Sequence, residues 1–99
     1  MCGIAGFISL NQPIDHSSSN LKLALKRMRR RGPDAQGIYR KPKVELGHTR
    51  LSIIDTSTDA NQPMNDESGR YTLVFNGEIY NFKELKENLK KNGVNFKTE

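Results

Sequence analysis

The sequence predicts a small domain of the α+β class, and three observations carry that prediction. Two stretches, LKLALKRM and FKELKENL, repeat their apolar residues at helical spacing. Apolar segments of strand length, GIAGFISL, GIYR, VELGHTRLSII and YTLVF, lie before and between them. Two of these, residues 37–40 and 44–54, are separated only by a Lys-Pro turn, the short connection of an adjacent strand pair. With 99 residues the chain has room for one domain, burying roughly two-thirds of the surface its unfolded form exposes.

The elements follow in order. Residues 3–10 read as a strand, and NQPIDHSSSN as a loop. Leu21, Ala24, Leu25 and Met28 form one helical face, with Ser18, Ser19 or Asn20 as cap and Gly32-Pro33 as stop. Residues 37–40 and 44–54 are expected to pair, and residues 55–69 to form a long polar loop. In the strand expected next, Tyr71, Leu73 and Phe75 are apolar but so is Val74, which argues for a sheet covered on both faces. Asn81 is expected to cap a second helix, Glu84 completing a near capping box. Phe82, Leu85 and Leu89 form its buried stripe, Lys83, Glu87 and Lys91 its outer ion pairs, and Gly93 its end. VNFKT opens a further short strand.

Composition bounds the partners. The hydrophobic fraction is 34% and the charged fraction 27%, so the chain is polar without being disordered in composition. No apolar run reaches the ~20 residues that span a bilayer, and a cytoplasmic protein with no membrane partner is expected. The formal charge of +5 is concentrated in Lys26-Arg27 and Arg29-Arg30-Arg31. No aromatic residue is interleaved there to stack on bases, so a solvated helix face or contact surface is expected, not a nucleic-acid site. One cysteine excludes an internal disulfide, and no Cys/His spacing resembles a metal site.

That cysteine is placed for chemistry. Cys2 follows the initiator methionine, and removal of Met1 would put a thiol and a free α-amine on one residue. The amine then takes the thiol proton, as a histidine base would. The plain alternative is a cysteine near a frayed terminus. Asn76-Gly77 offers a side-chain amide and an unshielded backbone N–H, the donor types of an oxyanion hole, where one donor contributes about 3 kcal/mol. Asn-Gly is equally a hairpin turn. Arg50, set among apolar strand residues, suits bidentate binding of a carboxylate. His48, two residues earlier, is either a partner for Cys2 or a structural histidine.

MCGIAGF, RRRGPDAQG, LGHTRLSIID, NQPM and VFNGEIYNFKEL, in this order, resemble the class II, N-terminal nucleophile glutamine amidotransferases. The RLSIID, QPM and NGEIYN wording is closest to the glutaminase domain of glutamine-hydrolysing asparagine synthetases. The resemblance implies a four-layer α/β/β/α sandwich of antiparallel sheets, incomplete in a chain that would be roughly the first half of that domain. It implies that Cys2 attacks the side-chain amide of glutamine, with Asn76 and the Gly77 N–H as oxyanion hole. Arg50 would grip the α-carboxylate, and Leu51, Ser52, Ile53, Ile54 and Glu78 would line the rest of the pocket. RGPD would be a structural turn. The products would be glutamate and ammonia.

The same resemblance implies no cofactor in this domain. ATP and magnesium would serve only a C-terminal synthetase domain that makes asparagine from aspartate, and that domain is absent from these residues. It also leaves a homodimer as a candidate assembly. The acidic residue that would meet the glutamine ammonium lies beyond residue 99, so an isolated 99-residue chain is expected to be marginally folded. Two other readings remain open: a paralogue that amidates a sugar or peptide, and a non-catalytic basic binding module.

Overall fold

The computed structural model describes residues 1–53 and 57–96. Its centre is a three-stranded antiparallel sheet in the order β1-β3-β2, made of β1 (Gly3–Ile8), β2 (Ala35–Lys41) and β3 (Val44–Arg50). β2 and β3 form a hairpin, Lys41 opposite Val44 and Ala35 opposite Arg50. β1 flanks the other edge of β3, with Gly3 opposite Thr49 and Ile8 opposite Val44. β3 is thus paired on both sides, and Glu45 and residues 47–50 are buried along it. A small α+β domain with antiparallel sheets is therefore what the chain builds.

Helix α1 (Leu21–Arg27) covers one face of this sheet. Leu21 and Leu25 are fully buried, their methyl groups seated over the backbone of Gly47 on β3. Each buried leucine contributes about 2 kcal/mol. Asn20 occupies the N-cap position, but its side chain makes no capping bond. Its ψ of 13° lies outside the extended region from which a capping side chain reaches back to the first turn. The helix ends at Arg27, well before Gly32-Pro33, and the Met28 N–H closes it by bonding to both Ala24 and Leu25 carbonyls. Lys26, Arg27 and residues 29–31 are exposed.

A buried carboxylate ties the loop before α1 to the sheet. Glu45 Oε2 lies 2.9 Å from Nε of Arg40, its cross-strand partner, and 2.8 Å from Nδ1 of His16. Burial opposes ionisation of Glu45, yet the hydrogen bonds from Arg40 and His16 help to outweigh it, and its pKa lies below the ordinary value.

The remainder departs further from the sequence pattern. β3 stops at Arg50 instead of running to 54, because the next backbone N–H groups are taken by side chains: Leu51 bonds to Cys2 Sγ and Ser52 to Asp34. The segment expected as loop contains a 3-10 turn (Thr58–Ala60) and a short strand, β4 (Met64–Asn65). β4 pairs with β5 (Thr72–Leu73), all that forms of the strand expected from residue 71. Asp66 organises the turn between them, accepting the Tyr71 N–H at 3.0 Å. Leu73 and Phe75 are 57% and 42% exposed, so this segment is not covered on both faces among the described residues.

α2 (Phe82–Lys91) ends as the sequence predicts. Gly93 has φ +86°, and Val94 and Gly93 N–H bond to the Leu89 and Lys90 carbonyls, a Schellman closure. Asn81 stands at its N-cap with ψ 29° and, like Asn20, no side-chain bond. Phe82 is half-buried, but Leu85 and Leu89 are exposed. Among the described residues Lys83, Glu87 and Lys91 close no ion pair. Residues 94–96 form no strand, and the rest of VNFKT lies outside the described residues.

Candidate functional site

Cys2 sits one residue ahead of β1, where antiparallel pairing brings it beside the exit of β3. Its sulfur accepts the Leu51 N–H at 3.3 Å and lies 3.8 Å from the Leu51 carbonyl oxygen. The Cys2 carbonyl accepts from Nε of Arg31 at 3.3 Å. Next along the chain, Pro33 bridges to Arg50, and Asp34 receives the Ser52 N–H at 2.7 Å while donating its own N–H to the Arg50 carbonyl at 2.9 Å. RGPD is therefore structural, and what it holds is the wall on which Cys2 and residues 50–52 sit.

A cavity of about 580 Å³ opens beside this wall. Its lining brings together Cys2, Arg50, Leu51, Ile53, Asn76, Gly77 and Glu78, residues chosen from three separated stretches of sequence. Ser52 does not line it, because its backbone is turned toward Asp34. Ile54 lies outside the described residues. Met1, Ala60, Gln62, Met64, Phe75 and Phe82 complete the lining and were not singled out from sequence as site residues. The NQPM motif contained two of them, but nothing in its composition says that it closes a pocket.

The Arg50 guanidinium is anchored by the 57–61 segment. Its Nη1 donates to the Ser57 carbonyl at 2.5 Å and to Asn61 Oδ1 at 2.7 Å. Asn76-Gly77 is not a hairpin turn: no return strand follows among the described residues, and Gly77 lacks the positive φ that a type I′ turn demands. His48 is engaged by Phe75, and the sulfur of Cys2 by Leu51. The His48 Nε2 lies 3.3 Å from the Phe75 carbonyl oxygen, which can only accept, so the ring carries its hydrogen there. Burial lowers the His48 pKa; the Phe75 carbonyl opposes this and the Arg50 charge adds to it, with the net direction downward. The ring is accordingly neutral at pH 7. Among the described residues no group of three His, Cys, Asp or Glu is placed to hold a metal ion, and no helix is long and apolar enough to cross a membrane.

Fold and cavity together describe a class: a small α+β domain with antiparallel sheets in which Cys2, Arg50 and Asn76-Gly77 line one pocket. The family model of the glutamine amidotransferase domain matches residues 1–99 of the chain, and the chain belongs to that family. It is 38% identical over 103 residues to asparagine synthetase [glutamine-hydrolyzing] 1 of Bacillus subtilis (strain 168), covering 100% of this chain and 16% of that protein. It is 40% identical to amidase chry2 of Gibberella zeae, covering 90% of this chain and 15% of the relative. Asparagine synthetase [glutamine-hydrolyzing] 3 of Arabidopsis thaliana is 38% identical, covering 91% of this chain and 15% of that protein. The chain thus spans about one-sixth of the length of such relatives.

Proposed function

We propose that this domain hydrolyses the side-chain amide of glutamine and supplies the ammonia to a synthetase domain that converts aspartate to asparagine. The observation that carries the reading is the single cavity shared by Cys2, Arg50 and Asn76-Gly77. Removal of Met1 frees the Cys2 α-amine, which accepts the thiol proton. The sulfur then adds to the amide carbon, and the oxyanion is held by the Asn76 side chain and the Gly77 N–H. Collapse returns the proton to the leaving nitrogen and releases ammonia, leaving a γ-glutamyl thioester. Water, deprotonated by the same amine, cleaves the thioester to glutamate and restores the thiol.

Arg50 binds the α-carboxylate of glutamine as a planar fork. Leu51 and Ile53 form the adjoining wall, and Glu78 faces the substrate ammonium. ATP and magnesium are used in the synthetase domain. In the intact protein the sheet described above forms one layer of a four-layer α/β/β/α sandwich, which gives the exposed apolar side chains Ile4, Ile8, Leu85 and Leu89 a surface to pack against. The 40% identity to an amidase supports a second reading, in which the same module feeds ammonia to a different acceptor.

The test is ammonia release from glutamine by the full gene product, with mass spectrometry of its mature N-terminus after exposure to diazo-oxo-norleucine. The expected result is loss of Met1 and an adduct on Cys2 that is absent in Cys2→Ala. Glutamine hydrolysis that survives Cys2→Ala would end the proposal. Product analysis with aspartate and ATP separates the two acceptor readings.

A further inference from the structure

The Asn76-Gly77 donors follow a residue that no strand ladder holds. β5 ends at Leu73, yet both backbone groups of Phe75 are occupied, and by side chains. The Phe75 N–H donates to Gln62 Oε1 at 2.5 Å, and the Phe75 carbonyl faces His48 Nε2 at 3.3 Å. We propose that His48 and Gln62 are positioning residues that clamp the Phe75 backbone from two sides and so set where the Asn76-Gly77 donors stand. The inference rests on the oxyanion role given to those donors above.

Both jaws of the clamp are built on the sheet. His48 is 1% exposed on β3, the strand paired on both edges. Gln62 belongs to a loop pressed so closely on β2 that a Cβ at Gly37 would collide with the Gln62 carbonyl oxygen. The Phe75 carbonyl and the Asn76 N–H belong to one planar peptide, so fixing the carbonyl fixes the plane from which Asn76 departs. His48 Nδ1 is buried and has no hydrogen-bond partner among the described residues. A neutral ring with its hydrogen on Nε2 suits both nitrogens, since a second N–H would be buried without an acceptor. Donors aimed at a developing oxyanion are sensitive to placement, and a shift of ~1 Å costs about 100-fold in rate. The clamp should therefore act on the transition state and leave glutamine binding at Arg50 nearly untouched.

The experiment measures glutamine hydrolysis by the full gene product and its inhibition by the γ-aldehyde of glutamate, which adds to the thiol and places an oxyanion-like oxygen in the same donors. Gln62→Met keeps the side-chain length and removes the acceptor. His48→Leu removes the donor, and His48→Gln restores one near the same place. Gln62→Met and His48→Leu should lower kcat by about 10- to 100-fold with KM changed less than about 3-fold. Aldehyde affinity should fall by the same factor, and His48→Gln should recover most of the loss. Should His48→Leu fail to fold, Gln62→Met and His48→Gln carry the comparison. Unchanged kcat and aldehyde affinity, or a rise in KM alone, would overturn the clamp. Asn76→Ala is the reference: if it leaves kcat unchanged, the oxyanion reading falls and the clamp with it. If it lowers kcat while Gln62→Met does not, the clamp alone falls.

Discussion

The main-chain N–H of Leu51 points at the sulfur of Cys2 from 3.3 Å. Forty-nine residues separate the two, and the contact forms because β1 and β3 pair antiparallel up to Gly3 and Thr49. The nucleophile is thereby held by the sheet itself, although it sits close to a chain end where side chains are ordinarily loose. Leu51→Pro deletes this donor, whereas Leu51→Ala keeps it. Glutamine hydrolysis by the full gene product should lose about 10-fold or more in kcat in the first variant and change little in the second. Equal activities would show that the contact does not position the sulfur.

Arg50 is braced by Ser57 and Asn61, which leaves its orientation set before substrate arrives. Arg50→Lys keeps the charge and loses the fork. KM for glutamine should rise by about 10- to 100-fold with a smaller change in kcat, since the α-carboxylate is bound alike in ground and transition states. Steady-state kinetics with varied glutamine reads this directly. A fall in kcat at constant KM would contradict it.

His48 predicts a pH dependence of stability. Its folded pKa lies below the ordinary 6.5, with burial as the first cause. The unfolded chain therefore takes up the proton at a higher pH than the folded domain does. The resulting stability is present in full above pH 6.5 and is lost as pH falls from there through the folded value. The denaturation midpoint of the intact protein should drop between about pH 7 and pH 5, and His48→Gln should flatten that slope. Glu45, whose folded pKa is also lowered, acts in a separate and more acidic window, below its ordinary 4.5. A slope unchanged in His48→Gln would refute the assignment.

Leu25 tests the core. It is fully buried over Gly47, and Leu25→Ala should cost about 2–5 kcal/mol, measured as a shift in denaturant midpoint. Leu23, exposed on the same helix, should tolerate alanine within about 0.5 kcal/mol. Similar losses at both positions would mean that α1 does not pack as described.

What the sequence shows of all this depends on how local the cause is. Leu21 and Leu25 announce α1 because their spacing is the helix period, and Gly93 announces the end of α2 because few residues accept its φ. The caps were not legible: Asn20 and Asn81 have the right chemistry, but a side chain's identity does not set its residue's ψ. The end of β3 was hidden for another reason. Residues 51–53 are strand-like in composition, and what stops the strand is Cys2 and Asp34, far away in sequence. Cys2, Arg50 and Asn76-Gly77 were each weak candidates by chemistry and stood out through their joint order and the family resemblance, and the cavity brings them together. Gln62 and Phe75 could not stand out, since each matters only through the partner that folding delivers.

The pleat of β3 places Gly47 on the side of α1, Arg50 at the cavity and His48 against the Phe75 carbonyl, on a single ribbon two residues wide in its repeat. The packing under the helix and the pocket thus share one strand as a common support. A glutamine analogue bound in the pocket should raise the melting temperature of the intact protein, and a hole carved under α1 should lower it, since both act on the fold that this strand supports.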